Sequence, residues 1–392
     1  MTRFAKKLTS AKKNLDKWYF IFYTYPVAWK HFQLLVSFRF ETNHFCRLNP
    51  KAMPVTIYDV AKKAGVGIGT VSRVINDSPQ ISEATRRKVQ KAIKELHYQP
   101  HTVAQSLARK KTNTIACIIP FFTGYFFVEL LRGIQSKITE YKNDLILYSV
   151  DITNKKETFL RRTLEERKVD GVLLVSLEIN REFVSKFLSS QFPIVLVDSD
   201  HPQLDSITVD NIDGAFHATQ HLIEAGYSPI AMIDGQLKSI PARLRFDGFK
   251  NALKKNDLPF HEDYFVACDF ANEADGFNKE AGYTAMQRLL SLGENRPRAV
   301  FVSSDIQAIG AMQAIREQGL SVPKDIAVMG FDDIELAQFV GLTTMRQPMR
   351  HMGELAVERL MSKISEQPSD NFKKRFQTEL VVRESCGAKS YN

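Results

Sequence analysis

Several aspartates and arginines in the C-terminal part of this 392-residue chain stand where they could do chemistry. Asp198 follows the apolar run 193–197, Asp305 follows 299–304, and Asp332 with Asp333 follows 326–331. Arg243 and Arg245 precede Gly248-Phe249. Carboxylates accept hydrogen bonds from pairs of hydroxyls, and a guanidinium donates in a fixed fork, so this set suits a sugar. An aspartate at the end of a strand equally suits plain capping of the next helix. Paired carboxylates could also serve glycoside hydrolysis, but nothing in the local sequence pairs Asp305 with Asp332. A nucleophile elbow, a zinc motif and a phosphate loop are all absent, so no catalysis, metal or cofactor is expected. Gly65-Val66-Gly67-Ile68-Gly69 imitates a dinucleotide loop, yet that motif needs a preceding strand, and the residues before Gly65 have a helical pattern. Cys46, Cys117, Cys268 and Cys386 are scattered without metal-ligand spacing, which fits a reducing cytoplasm.

The elements that must hold these residues alternate. Apolar, β-branched runs at 114–119, 145–150, 171–175, 194–197, 230–233, 299–302 and 326–330 read as strands. Helical patterns at 126–141, 212–225, 242–253 and 306–318 fall between them. Such alternation predicts parallel α/β sheets, and the length from 113 to 392 allows two. In these folds ligands sit beyond the carboxyl ends of the strands. Phe126 and Phe270 are aromatic candidates for packing on a ligand, with core burial the alternative for Phe126.

The front of the chain has a different character. Residues 53–112 carry eleven Lys/Arg against four Asp/Glu, and residues 1–52 carry ten against Asp16 and Glu41. The remainder is net acidic, so a polyanion partner is expected for the front end alone. Ile57, Val60, Ala61 and Ala64 predict a short helix, broken at Gly65. Thr70–Asn76 predicts a second, with Val71, Val74 and Ile75 inward and Thr70, Ser72 and Arg73 outward. Ser82 is placed to cap a third, whose buried stripe is Val89, Ile93 and Leu96. That is the helix-turn-helix plan, whose second helix enters the major groove.

With Thr56-Ile57-Tyr58-Asp59-Val60-Ala61 and Thr70-Val71-Ser72-Arg73-Val74-Ile75-Asn76 the chain resembles the LacI/GalR family of transcription regulators, and the likeness runs from 54 to 386. The resemblance implies an N-terminal all-α helix-turn-helix domain (53–100), a hinge (101–112), and an α/β two-lobed, periplasmic-binding-protein-like (type I) domain (113–392) that senses a small molecule and dimerises. It implies DNA contacts at Thr56, Ile68, Thr70, Ser72, Arg73 and Asn76. Thr102, Gln105 and Leu107 would act in a minor-groove hinge helix, with Leu107 as a wedge. Ile68 and Gly69 stand where relatives place polar base-reading side chains, so weaker base discrimination is expected. Effector contacts are implied at Phe126, Asp198, Arg245, Phe270, Asp305 and Asp332. Ser304 replaces a common asparagine, and sugar versus nucleobase stays open.

A homodimer, or a dimer of dimers, on a pseudo-palindromic double-stranded operator follows from the resemblance, with no membrane partner. A rival reading, an extracytoplasmic sugar-binding protein of a transporter, needs a signal sequence and no DNA reader. The extension 1–52 holds Trp18, Trp29 and an aromatic cluster, but Pro26 and Lys30 interrupt its apolar run. It is expected to be upstream sequence, with translation starting at Met53.

Overall fold

The structure, a computed structural model, describes residues 55–98, 111–120, 124–150, 155–269, 275–365 and 371–387. The extension 1–52, the hinge residues Thr102, Gln105 and Leu107, and Phe270 lie outside the described residues. The chain divides into two compact units that meet between Thr102 and Val103.

Three helices make the described part of the first unit: α1 (Ile57–Ala64), α2 (Ile68–Ile75) and α3 (Glu83–Glu95). Helix α1 starts where the Asp59 carboxylate accepts from the backbone N–H (2.8 Å) and the hydroxyl (2.7 Å) of Thr56. It ends at Gly65, whose φ of 65° is the left-handed region that favours glycine. Helix α2 begins two residues earlier than its pattern predicts. The Gly67 carbonyl accepts from Thr70 N–H and Val71 N–H, which makes Gly67 the N-cap. Glycine is well tolerated there. Gly69 alone falls within the helix, in its first turn, where glycine costs up to about 1 kcal/mol relative to alanine. Ser82 caps α3, its hydroxyl accepting from Thr85 N–H. Val60, Val71, Val74, Val89 and Ala92 form the core, with Ile93 and Leu96 packed at its margin.

The second unit holds two six-stranded sheets. In sheet order the first contains β11 (Lys373–Phe376), β5 (Asp205–Val209), β4 (Ile194–Val197), β3 (Gly171–Val175), β1 (Thr114–Ile119) and β2 (Asp144–Ser149), all parallel. The second contains β12 (Glu379–Val381), β10 (Thr343–Arg346), β9 (Ala327–Asp332), β8 (Ala299–Val302), β6 (Ile230–Asp234) and β7 (Phe265–Ala267). Only β12 runs antiparallel to its neighbour. The central strands are buried on both faces, as parallel strands under helices must be.

Among the described helices, α4 (Tyr125–Tyr141), α5 (Lys155–Glu166), α6 (Arg181–Ser189) and α12 (Met349–Ile364) serve the first lobe. Helices α7 (Asn211–Glu224), α8 (Ile240–Lys255), α9 (Lys279–Leu290), α10 (Asp305–Glu317) and α11 (Glu335–Phe339) serve the second. The chain therefore crosses between lobes at 209–211, 346–349 and 376–379. Asp205, fully buried on β5, receives Arg359 Nε at 2.6 Å and Lys363 Nζ at 3.3 Å from α12, which ties the returning helix to the first sheet.

Helices α4 and α12 cross so closely that a Cβ on Gly133 would lie 2.0 Å from the Arg350 carbonyl oxygen, and one on Gly353 2.3 Å from that of Leu130. Backbone cannot yield as a side-chain tip can. Gly133→Ala is expected to destabilise the second unit by about 1–3 kcal/mol. Calorimetry should show its transition lowered while the unfolding of the first unit is unchanged.

Candidate effector cleft and candidate nucleic-acid interface

On the first unit, α2 presents Ile68 (41% exposed), Gly69 and Arg73 to solvent, with Thr70, Ser72 and Asn76 partly covered. Residues 69, 73 and 76 share one helical face. Thr56 is elsewhere, at the α1 cap, its hydroxyl donated to Asp59. Arg86 fastens the turn after α2, donating to Asp77 and to the Ser78 carbonyl (2.9 Å). The Gly65–Gly69 segment joins two helices and follows no strand, which removes the dinucleotide-loop reading.

In the second unit a cavity of about 260 Å³ opens between the ends of strands from both lobes. From the first lobe it is lined by Phe126, Ser176 and Asp198, and from the second by Arg245, Asp275, Phe277, Ser304 and Asp332. Arg245, which lines it, is only 5% exposed. Its Nε–H donates to Asn211 Oδ1 (2.8 Å), an Nη1–H donates to the Ser303 carbonyl, and the Asp332 carboxylate stands 3.8 Å away. The guanidinium lies over the Phe331 ring at 3.9 Å. Asn211, Ser303 and Phe331 thus lock the fork of a residue that lines the cavity.

Two carboxylates face that fork from opposite lobes. Asp198 has φ 53° and accepts from the Ser176 hydroxyl at 2.7 Å. Burial pushes its carboxyl up, opposed by Ser176 and by Arg245. Asp332, with φ 123°, accepts from the Gln347 amide at 2.6 Å. Burial raises it to about 6, with Arg245 and Gln347 opposing. Behind them Asp234 is completely buried. One oxygen accepts from Gly235 N–H and the Ser303 hydroxyl, and the other has no hydrogen-bond partner among the described residues. Burial raises Asp234 to about 7. Asp234 does not line the cavity, but Asp198, Asp275 and Asp332 do beside the one buried guanidinium, so the cavity calls for a ligand that donates hydrogen bonds.

Of the residues singled out from sequence, Phe126, Asp198, Arg245 and Asp332 are brought together on this cavity, and Phe270 lies outside the described residues. Asp305 is not brought to it. It is fully buried at the start of α10 and turned under β9, where its oxygens accept from Ile334 N–H (2.9 Å) and the Thr344 hydroxyl (2.5 Å). It braces the turn that carries Asp332, and its neighbour Ser304 is the cavity residue. Ser176, Asn211, Asp275, Phe277 and Gln347 were missed from sequence. Ser176 directly follows a recognised strand, so the strand-end rule that found Asp198 would have found it. Asn211 and Gln347 act through partners 34 and 15 residues away, which no local pattern reveals.

Comparison with known proteins matches this architecture. Residues 56–101 match the bacterial regulatory proteins of the lacI family, and residues 219–386 match the periplasmic binding protein-like domain. The ribose operon repressor of Escherichia coli (strain K12) is 40% identical over 318 residues, covering 79% of this chain and 93% of that one. The lac repressor dimer bound to operator and the anti-inducer ONPF superposes with a TM-score of 0.73 at 30% identity, over 85% of this chain and 99% of that one. A complex of the transcriptional regulator CelR with cellobiose gives a TM-score of 0.62 at 31% identity, over 84% and 99%. Among the described residues no helix is long and apolar enough to cross a membrane. A helix-turn-helix reader joined to a two-lobed α/β binding domain, with relatives of this identity over most of its length, makes the chain a member of the LacI family of DNA-binding transcription regulators.

Proposed function

We propose that this regulator is a cytoplasmic homodimer whose operator affinity is set by a small sugar held, and left chemically unchanged, in the cavity around Arg245. The observation that carries the reading is the locked guanidinium between Asp198 and Asp332: one donor fork between two acceptors contributed by opposite lobes. A sugar hydroxyl both donates and accepts, so adjacent hydroxyls can bridge Arg245 to either carboxylate and draw the lobes together. Phe126 and Phe277 supply apolar surface for the ring. The cavity of about 260 Å³ falls just below the usual span of ligand sites, about 300–1,000 Å³, which favours a ligand as small as a monosaccharide. The names of two relatives, one for ribose control and one in complex with cellobiose, support the sugar class.

On the DNA side the reading assigns the groove-facing surface to Ile68, Thr70, Ser72, Arg73 and Asn76, with Thr56 capping α1 beside it. Thr102, Gln105 and Leu107 are assigned to a hinge in the minor groove, on the strength of the family pattern alone. Lobe closure would move the paired hinges of a dimer and so change operator affinity.

A thermal-shift panel of D-ribose, D-xylose, D-glucose and D-galactose against purines is the direct test. A sugar at 100 times its dissociation constant adds about 2.7 kcal/mol. Arg245→Ala is expected to abolish that shift; a purine hit with no sugar hit would overturn the sugar reading. For DNA, random-site selection should return half-sites well defined opposite Thr70 and Arg73 and degenerate opposite Ile68 and Gly69. Arg73→Ala should cost about 1–3 kcal/mol of operator binding. A half-site sharply defined at every position would contradict the assignment.

A further inference from the structure

Two carboxylates of the cavity belong to no strand end: Glu178, which Arg243 engages at 2.7 Å, and Asp275. Asp275 lies in the segment 275–278 before α9, and its side chain lines the same cavity as Arg245, Asp198 and Asp332. That segment is fastened at several points. The Asp275 carbonyl accepts from Gln236 N–H (2.7 Å), and the Gly276 carbonyl accepts from the Gln307 amide (2.9 Å). Asn278 caps α9 by accepting from Ala281 N–H (2.8 Å). The Phe277 ring packs against Gly235, where a Cβ would come within 2.6 Å of it. The Asp275 side chain accepts from Phe277 N–H at 3.0 Å through Oδ1. An asparagine or serine would make that turn as well, without placing a charge in a confined cavity.

The charges facing Asp275 are Arg245 from α8 and Lys238 from the exposed turn before it, and Arg245 also stands 3.8 Å from Asp332. Both cations favour the ionised form, yet burial still holds the carboxyl up at about 6. Arg245 is already shared with Asp332, and Asp234 lies within its field. The local fold has no need for this charge, and the cations near it do not fully balance it.

We propose that Asp275 is a specificity-determining residue of the cleft, a third carboxylate that accepts from an effector hydroxyl which Asp198 and Asp332 do not reach. The proposal rests on the sugar reading of the cavity and narrows it to a sugar with free hydroxyls on three sides of its ring. A site built to accept from a hydroxyl rejects the analogue that lacks it, because its own buried acceptor is then unpaired.

The test uses the full chain and whichever aldose of the panel gives the largest thermal shift. Asp275→Asn keeps the oxygen that accepts from Phe277 N–H and removes only a charge that burial disfavours, so the ligand-free melting temperature at pH 7.5 should not fall. Asp275→Ser is a second variant that also retains an acceptor. By calorimetric titration at pH 7.5 both should bind the sugar at least tenfold more weakly than wild type. The gap should close as pH falls below 6, because the wild-type carboxyl is then protonated and the two side chains become equivalent in charge. Equal affinity of wild type and both variants at pH 7.5, or a gap independent of pH, would overturn the proposal. Binding of no sugar by wild type would instead remove the sugar reading, and this proposal with it.

Discussion

The second unit is organised around one buried cation. Arg245 reaches the floor of the cleft only because α8 packs directly on α7: a Cβ on Gly248 would lie 2.2 Å from the Ile212 carbonyl. Once there, the guanidinium must be satisfied, since a buried charge left without partners costs several kcal/mol. Asn211, the last residue of the 209–211 crossing, and Ser303, which follows β8, take two of its N–H groups. The Phe331 ring supports its face. The fork is thereby preorganised, so little side-chain freedom remains to be lost when a ligand arrives.

The same chemistry ties the cleft to the connections between lobes. Asp332 holds Gln347 on the 346–349 crossing, and the adjacent Asp333 holds Arg346 of that crossing (2.7 Å) and Arg383 (2.7 Å). Arg346 also reaches Glu379 beside the 376–379 crossing at 3.1 Å. The turn that presents a carboxylate to the ligand is thus continuous with two of the three crossings. On the proposed reading, a ligand that repositions Asp332 would act directly on these crossings, and no long relay of side chains would be needed.

Much of this was legible in the sequence wherever one residue type repeats locally. Strands β1, β3, β4 and β8 occupy the spans their apolar runs predict, because strands covered on both faces are apolar at every position. β5, with Asp205-Ser206 at its start, was not read as a strand. Its aspartate is buried because Arg359 and Lys363 arrive from α12, some 150 residues later. β10 and β11, with Thr343-Thr344 and Lys373-Lys374, escaped for the same reason: their polar residues are accommodated by edge positions and distant partners. In the cleft, residues at strand ends were legible. Asp305 was not separable from them, since a brace under the turn and a contact above it look alike in one dimension. Asp275 and Phe277 follow no strand and became visible only when the fold carried their segment onto Gly235.

The central claim is that cleft and operator share one equilibrium, and reciprocity is its most direct test. The affinity of the sugar that stabilises the protein most should be measured with and without saturating operator, and operator affinity with and without saturating sugar. If both ligands act on one lobe-closure equilibrium, the two ratios must be equal and different from one. Sugar affinity that is identical with and without operator would contradict the coupling, and with it the view that the cavity around Arg245 governs DNA binding.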